Sequence, residues 1–242
     1  MATLREIENK RRKHYKAAAS SFRKVLKEQK ALFYFELPRQ ETPERMQALA
    51  DNYFIDFRLT KEAFFKIYLT TFPEFANTVT IENKAPSGWW ETYVKNWLEL
   101  NSGERIKQID LTSKDDIVRV TREVLSEGQK NGESIFQMSK QITTKLKGFD
   151  PYRAERIART EVVSAANMGS YKGAIMSGAT HKTWLAARDH RTRKSHAKLN
   201  RTTIPMNEKF KISKHGMLYP LDPDGDANEV IQCRCGISFS IK

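Results

Sequence analysis

The chain has 242 residues, which at about 100 to 200 residues per domain is one large domain or two small ones. A hydrophobic share of 39%, a charged share of 29% and 13 Phe, 8 Tyr and 4 Trp exclude disorder over the whole length. A formal net charge of +13 asks for a polyanionic partner or an acidic environment, without saying which. No apolar run nears the roughly 18 to 20 residues that cross a bilayer, and the opening residues lack the apolar core of a secretory signal. Membrane insertion and export by that route are therefore not expected. Two cysteines one residue apart, Cys233 and Cys235, make no disulfide framework and suit a reducing compartment.

The charge is unevenly spread. Residues 1–30 carry +7, 31–100 carry −3, 101–150 carry +1 and 151–242 carry +8. The densest patch runs from His181 to Arg201, with seven Lys/Arg against Asp189 alone.

In chain order, Tyr15, Ala18, Phe22, Val25, Leu26 and Phe33 recur at helical spacing, and the segment from Asn9 to about Phe35 is expected to be one basic amphipathic helix ending near Pro38. Thr42-Pro43 signals a capped second helix to about Phe57. A third is expected from Thr60 until Pro73 stops it, and a fourth from Ser87 to the break at Asn101-Ser102-Gly103. Ser113, with Asp115 and Asp116 behind it, marks the start of a helix that Gly128 closes. Ile135, Met138, Ile142 and Leu146 mark another, and Asp150-Pro151 is expected to cap a long helix to Ser177. That helix has a small face of Ala154, Ala158, Ala165, Ala166, Gly169 and Gly173, which predicts close packing. Beyond Gly178, His181–Arg188 has strand character around Trp184, Thr202–Ile204 before Pro205 suits an edge strand, and Gly236–Ile241 alternates as a half-buried strand should. The expected fold class is α+β: a helical N-terminal region with a basic first helix over 1–110, then a smaller mixed α/β domain with a short antiparallel sheet over 111–242.

Four elements in order carry a resemblance. Arg153-Ala-Glu-Arg-Ile-Ala-Arg159-Thr160-Glu161, the Trp184 strand, Asp189-His190-Arg191-Thr192 with His196, and Cys233-Arg234-Cys235 together resemble the phage Mu F-like family of minor head, or head morphogenesis, proteins of tailed double-stranded DNA phages. Two positions depart from the family pattern: Gln232 replaces an asparagine, and Asn200-Arg201 replaces an Asn-Gly turn. The resemblance implies a late, low-copy virion protein made in the host cytoplasm and located in the capsid interior or at the portal vertex. It implies portal, major capsid or scaffold protein as partners, contact with packaged DNA, and departure with the genome on ejection. It implies no enzymatic activity and no cofactor. The alternative class is an injected effector, such as a metal-dependent nuclease or a toxin-like protein.

Three groups of residues carry candidate chemistry. Lys10, Arg11, Arg12 and Lys13 of the first helix, with Lys182, Arg188, Arg191, Arg193, Lys194, Lys198 and Arg201, are candidates for nonspecific double-stranded DNA contact, because cations that neutralise phosphates release counterions. Their bland reading is a solvated charged face. The first helix also suits docking on an acidic portal or scaffold surface, and a membrane surface least of all. Cys233 and Cys235 project to one side of a strand entry, and with His196 and Asp189 or His190 they make a candidate zinc set; equally, they are two small apolar side chains supporting the last strand. Asp189 with His196 is a candidate general-base pair, against a structural reading in which Asp189 caps a helix beginning near Thr192 and pairs with Arg191. Arg159 and Glu161 suit an internal ion pair or loop anchor.

Overall fold

A computed structural model describes residues 3–79, 88–212 and 214–241. Nine α-helices and three strands occur among them, in the order α1 (Leu4–Gln29), α2 (Ala31–Glu36), α3 (Pro43–Asn52), α4 (Phe57–Val79), α5 (Trp89–Asn101), α6 (Gly103–Lys130), α7 (Ile135–Met176), β1 (His181–Leu185), α8 (Lys194–Leu199), β2 (Thr203–Pro205), α9 (Ala227–Val230) and β3 (Gly236–Ser240). The fold is α+β as expected, mostly helical with a small antiparallel sheet near the C-terminus. The helices gather into two compact units, each assembled from separate stretches of chain. One comprises Met1–Ala18, Phe64–Asn101 and Arg156–Lys242; the other comprises Ala19–Ala63 and Ser102–Glu155.

The second unit is a helical cluster around Phe33, Leu37, Met46, Ile117, Val120, Val124, Met138, Ile142 and Leu146, all buried. Thr42 caps α3 as expected, its hydroxyl accepting from the Arg45 amide, with Pro43 at the first helical position. The single first helix expected to Phe35 is broken at Lys30, whose ammonium turns inward onto Asp150. Gln29 beside it donates to Asp110, as does the Thr60 hydroxyl (2.7 and 2.6 Å). That buried network explains why α6 begins ten residues earlier than Ser113. Ile106, Asp110, Ser113 and Ile117 recur on one face and are all buried, so Ser113 is an interior helical residue, not a cap.

Two of the prolines taken as boundaries, Pro73 and Pro151, lie inside helices. Each removes a backbone donor and crowds the preceding turn, at about 3 kcal/mol, so the surroundings must outweigh that cost. At Pro151 the anchors are Lys30 on Asp150 and Arg153, which reaches Asp116 (3.0 Å) and the Ile109 carbonyl (2.5 Å). At Pro73 the anchors are the buried Phe72, Phe75 and Ala76 of the first unit. There α7 presents Gly169 and Gly173, where an added Cβ would lie 2.4 Å from the Phe72 carbonyl oxygen and 2.3 Å from that of Ala76. The close approach expected from the small face of α7 is present. The expected start of the fourth helix, Ser87, lies outside the described residues; its end at Asn101 is as expected.

In the first unit the sheet has the order β2-β1-β3, both pairings antiparallel, with Lys182 opposite Ile204 on one side and Phe239 on the other. β2 is an edge strand as expected, and the alternating tail forms β3, but its burial does not alternate: Gly236, Ile237 and Ser238 are buried and Phe239 and Ser240 partly so. β1 stops at Leu185, short of the expected Arg188. Trp184 is fully buried at the sheet centre, edge-on to His196 and to Phe210 with ring centroids 5.4 and 5.1 Å apart. The two departures from the family pattern both stand in the left-handed region, Arg201 at φ 65° and Gln232 at φ 59°. Glycine and asparagine occupy that region at least cost.

Candidate functional site

Along α1 the residues at positions 5, 8, 12, 15 and 16 share one helical face, and positions 4, 7, 11 and 18 another. The first face meets the loops of the sheet. Arg5, Arg12 and Lys16 of α1, Arg159 of α7, Arg191 of the loop after β1 and Arg234 before β3 line a cavity of about 670 Å³, with Glu8 as the carboxylate among the lining residues. Arg159 lies over the Tyr15 ring at 5.8 Å, and the Tyr15 hydroxyl donates to Glu8 at 3.1 Å. Burial raises the Tyr15 pKa, so the phenol stays neutral.

The walls of the cavity are fixed by hydrogen bonds. Asp189 accepts from both ends of the Arg234 guanidinium, from the Arg191 amide (3.0 Å) and from the Thr192 hydroxyl (3.3 Å). The Arg234 bonds hold the Asp189 carboxyl well below the usual carboxylate range. Asp189 therefore does not cap a helix as expected, since α8 begins at Lys194 behind Arg193 with no side-chain cap; it closes the turn before that helix, its ion pair is with Arg234, and from Arg191 it takes the backbone amide. Among the described residues, the cluster of candidate ligand atoms around His196 holds Cys233 and Cys235 and not Asp189. His196 instead has Nε2 2.8 Å from Glu229, a residue that no sequence signal singles out. Glu161 likewise faces the Tyr68 hydroxyl at 3.1 Å.

The candidate phosphate contacts separate by burial. Arg12, Lys13, Arg188, Arg191, Lys194, Lys198 and Arg201 are exposed or half-buried. Lys10 and Lys13 pair with Glu74, and Arg193 donates to the Ile231 carbonyl at 2.7 Å. Two are corrected outright. Arg11 has no exposed surface and donates to Asn167 Oδ1 and to the Cys235 carbonyl, tying α1 to α7 and to the entry of β3. Lys182 is equally buried, its ammonium 2.9 Å from the Met206 carbonyl. Both charges serve the interior. Arg5, Lys16, Arg159 and Arg234 line the cavity although none was expected among the phosphate contacts; the signal for the first two is the spacing from Arg12.

Beneath β1, and separate from the cavity lining, His196, Cys233 and Cys235 are brought together with their ligand atoms within 4.8 Å of one another, all buried. His196 Nδ1 lies 3.3 Å from the Cys235 sulfur and 3.4 Å from that of Cys233. The Cys235 amide donates to the Cys233 sulfur (3.4 Å), and the Ser195 hydroxyl donates to Glu229 (2.9 Å). The Cys233 thiol and the imidazole draw the Cys235 thiol below its ordinary value, while burial pushes Cys233 up. A thiol, an imidazole and a carboxylate in series resemble an activated nucleophile. Cys235 and His196 are each 2% exposed, however, which closes this one to a substrate.

Comparison with known proteins gives a consistent picture. Residues 119–238 match the family model described as Phage Mu protein F like protein. Minor head protein GP7 of Bacillus phage SPP1 is 30% identical over 120 residues, which take in 48% of this chain and 39% of that protein. The chain thus aligns with well under half the length of this relative. No solved structure matches. The matched segment takes in the Arg159-Thr160-Glu161 helix, the Trp184 strand, the Asp189–His196 loop and the Cys233–Cys235 run, and residues 119–238 belong to the phage Mu protein F like family.

Proposed function

We propose that this chain is a minor head protein that acts in phage head morphogenesis and contacts packaged DNA through the cationic cavity. The observation that carries the DNA reading is the convergence of Arg12 and Lys16 with Arg159 and Arg191: two basic regions far apart in sequence supply one cavity. The family match and the name of the SPP1 relative support the head role. Portal, major capsid or scaffold protein is the head-side partner in this reading, with the protein in the capsid interior or at the portal vertex and free to leave with the genome. Guanidinium groups backed by Tyr15 and fixed by Asp189 suit phosphate oxygens and leave base edges unread, so binding is sequence-independent.

The test is a titration of double-stranded DNA at several salt concentrations. For wild-type protein the affinity falls as a power of salt, and replacing Arg12, Lys16 and Arg191 together by Ser makes the slope shallower by about 0.9 for each phosphate that is no longer neutralised. An unchanged slope, or a steep sequence preference, overturns the DNA reading. Quantitative mass spectrometry of particles tests the head role separately: a copy number far below that of the major capsid protein is expected, and absence from particles overturns it. Plasmid cleavage in the presence of divalent metals would instead favour the effector class.

A further inference from the structure

The buried His196, Cys233 and Cys235 side chains form a site whose chemistry the head role does not use. Two alternate residues at the entry of β3 bring both sulfurs to one side, and α8 delivers the imidazole. A disulfide within Cys-Arg-Cys would close a small strained ring, and both cysteines are free. The imidazole is oriented from behind. A carboxylate only accepts, so the 2.8 Å contact with Glu229 makes Nε2 a donor and points Nδ1 at the two sulfurs. One imidazole nitrogen shares one proton with one sulfur at a time; a cation between the three atoms engages all of them at once. Zinc bonds of about 2.3 Å to sulfur and about 2.0 to 2.1 Å to nitrogen, at tetrahedral angles, set sulfur and nitrogen about 3.5 Å apart. The observed separations are 3.3 and 3.4 Å.

We propose that His196 Nδ1, Cys233 and Cys235 bind one zinc ion, with a solvent molecule completing the tetrahedron and Glu229 acting as the positioning residue behind the imidazole. The soft thiolate pair with imidazole selects zinc over magnesium or calcium, and a carboxylate behind a ligating histidine is the usual outer support of such sites. Binding releases the two thiol protons to solvent. The ion would join α8 to the entry of β3 under Trp184, a cross-link for a corner built mostly from irregular chain. The proposal is independent of DNA binding and of the head role.

The probes are zinc and cobalt(II) alone, added to the full chain after chelation under reducing conditions. One equivalent of metal is expected, with a thiolate-to-cobalt charge-transfer band and the intense visible bands of a four-coordinate ion. Free zinc at about 100 times its Kd multiplies the folding equilibrium about a hundredfold, a Tm rise of roughly 5 to 10 °C for a chain of this size. Cys233→Ser with Cys235→Ser abolishes the charge-transfer band. Since removing both thiols can also cost that variant its fold, Glu229→Gln is the second test: it keeps all three ligands and is expected to weaken zinc about 10- to 100-fold. No stoichiometric metal and no Tm response overturn the proposal and leave a metal-free thiol and imidazole cluster. A charge-transfer band that survives the double serine variant overturns the ligand assignment. Unchanged zinc affinity in Glu229→Gln overturns the positioning role.

Discussion

Lys182→Met separates an interior cation from a phosphate contact. Lys182 lies on the central strand with no exposed surface, its ammonium bonded to the Met206 carbonyl and held over Tyr171 and Phe210 at 5.0 and 5.5 Å. Burial pulls its pKa from 10.5 down to about 8, against the raising influence of Asp222 and Glu208. Because the folded value lies below the unfolded one, the unfolded chain binds more protons between about pH 8 and pH 10.5, and stability rises with pH across that window. A gap of about 2.5 pH units at 1.36 kcal/mol each bounds the effect at roughly 3 kcal/mol. Methionine fills the same channel without a charge, and the Met206 carbonyl keeps the Tyr171 hydroxyl at 2.9 Å as its donor. The variant is therefore expected to be as stable as wild type or up to about 3 kcal/mol more stable near neutral pH. That advantage is expected to vanish as wild-type Lys182 deprotonates. Urea unfolding of both proteins at matched pH steps from about 7 to 10 gives the difference directly and cancels every other titration. A difference that stays flat over the window, or a large drop in stability near pH 7, refutes the reasoning.

The other buried cation behaves oppositely. Arg11→Met leaves the Asn167 carbonyl oxygen and the Cys235 carbonyl without their guanidinium partner and is expected to cost about 2 to 4 kcal/mol, whereas Arg12→Met on the exposed face stays within about 0.5 kcal/mol; chemical denaturation distinguishes them. Two glycines of the same helix, α7, should give opposite signs in thermal unfolding. Gly148→Ala, with open space around it, gains up to about 1 kcal/mol of helix propensity, while Gly173→Ala meets the Ala76 backbone and is destabilised by about 1 to 3 kcal/mol despite the same gain. Arg201→Gly relieves a left-handed arginine and is expected to raise stability by about 1 kcal/mol; an unchanged Tm would argue that the Arg201 side chain offsets its strain by an interaction of its own.

Local signals in the sequence are reliable here where one residue decides the geometry. Thr42-Pro43 caps α3 because the hydroxyl and the ring act within a single turn. The alternating pattern of Gly236–Ser240 likewise locates β3, although Ser238 is buried with Ile237 and not turned to solvent. The errors at Ser113, Pro73 and Pro151 share one cause: each is a legitimate stop or start signal worth at most about 3 kcal/mol, set against contacts from residues distant in sequence. Asp110 is held by Gln29 and Thr60, Asp150 by Lys30, and the turn after Pro73 packs on glycines almost a hundred residues later. No window along the chain contains those partners, so local reasoning places breaks where the helices continue.

The candidate site shows the same division at the level of charge. A tally of Lys and Arg treats Arg11 and Arg12 alike, yet one step along α1 turns a side chain about 100°, and that step carries one of them into the interior and the other to the surface. Arg11 faces Asn167 and Arg12 faces the cavity. The information is present in the register: Leu4, Ile7, Arg11 and Ala18 share the inward face, so a cation at position 11 has to find an internal partner. Asp189 follows similar logic. The sequence offers its carboxylate as a helix cap near Thr192, but α8 starts two residues later without it, and its stronger tie comes from Arg234, 45 residues away, while His196 meets Glu229. Glu229 carries no motif and takes its place only when α8 and α9 are brought together. Of the residues that the resemblance marks, His196, Cys233 and Cys235 do meet in space, while Glu229 behind the imidazole and Arg5 and Lys16 beside Arg12 become visible only when the helical faces are assigned.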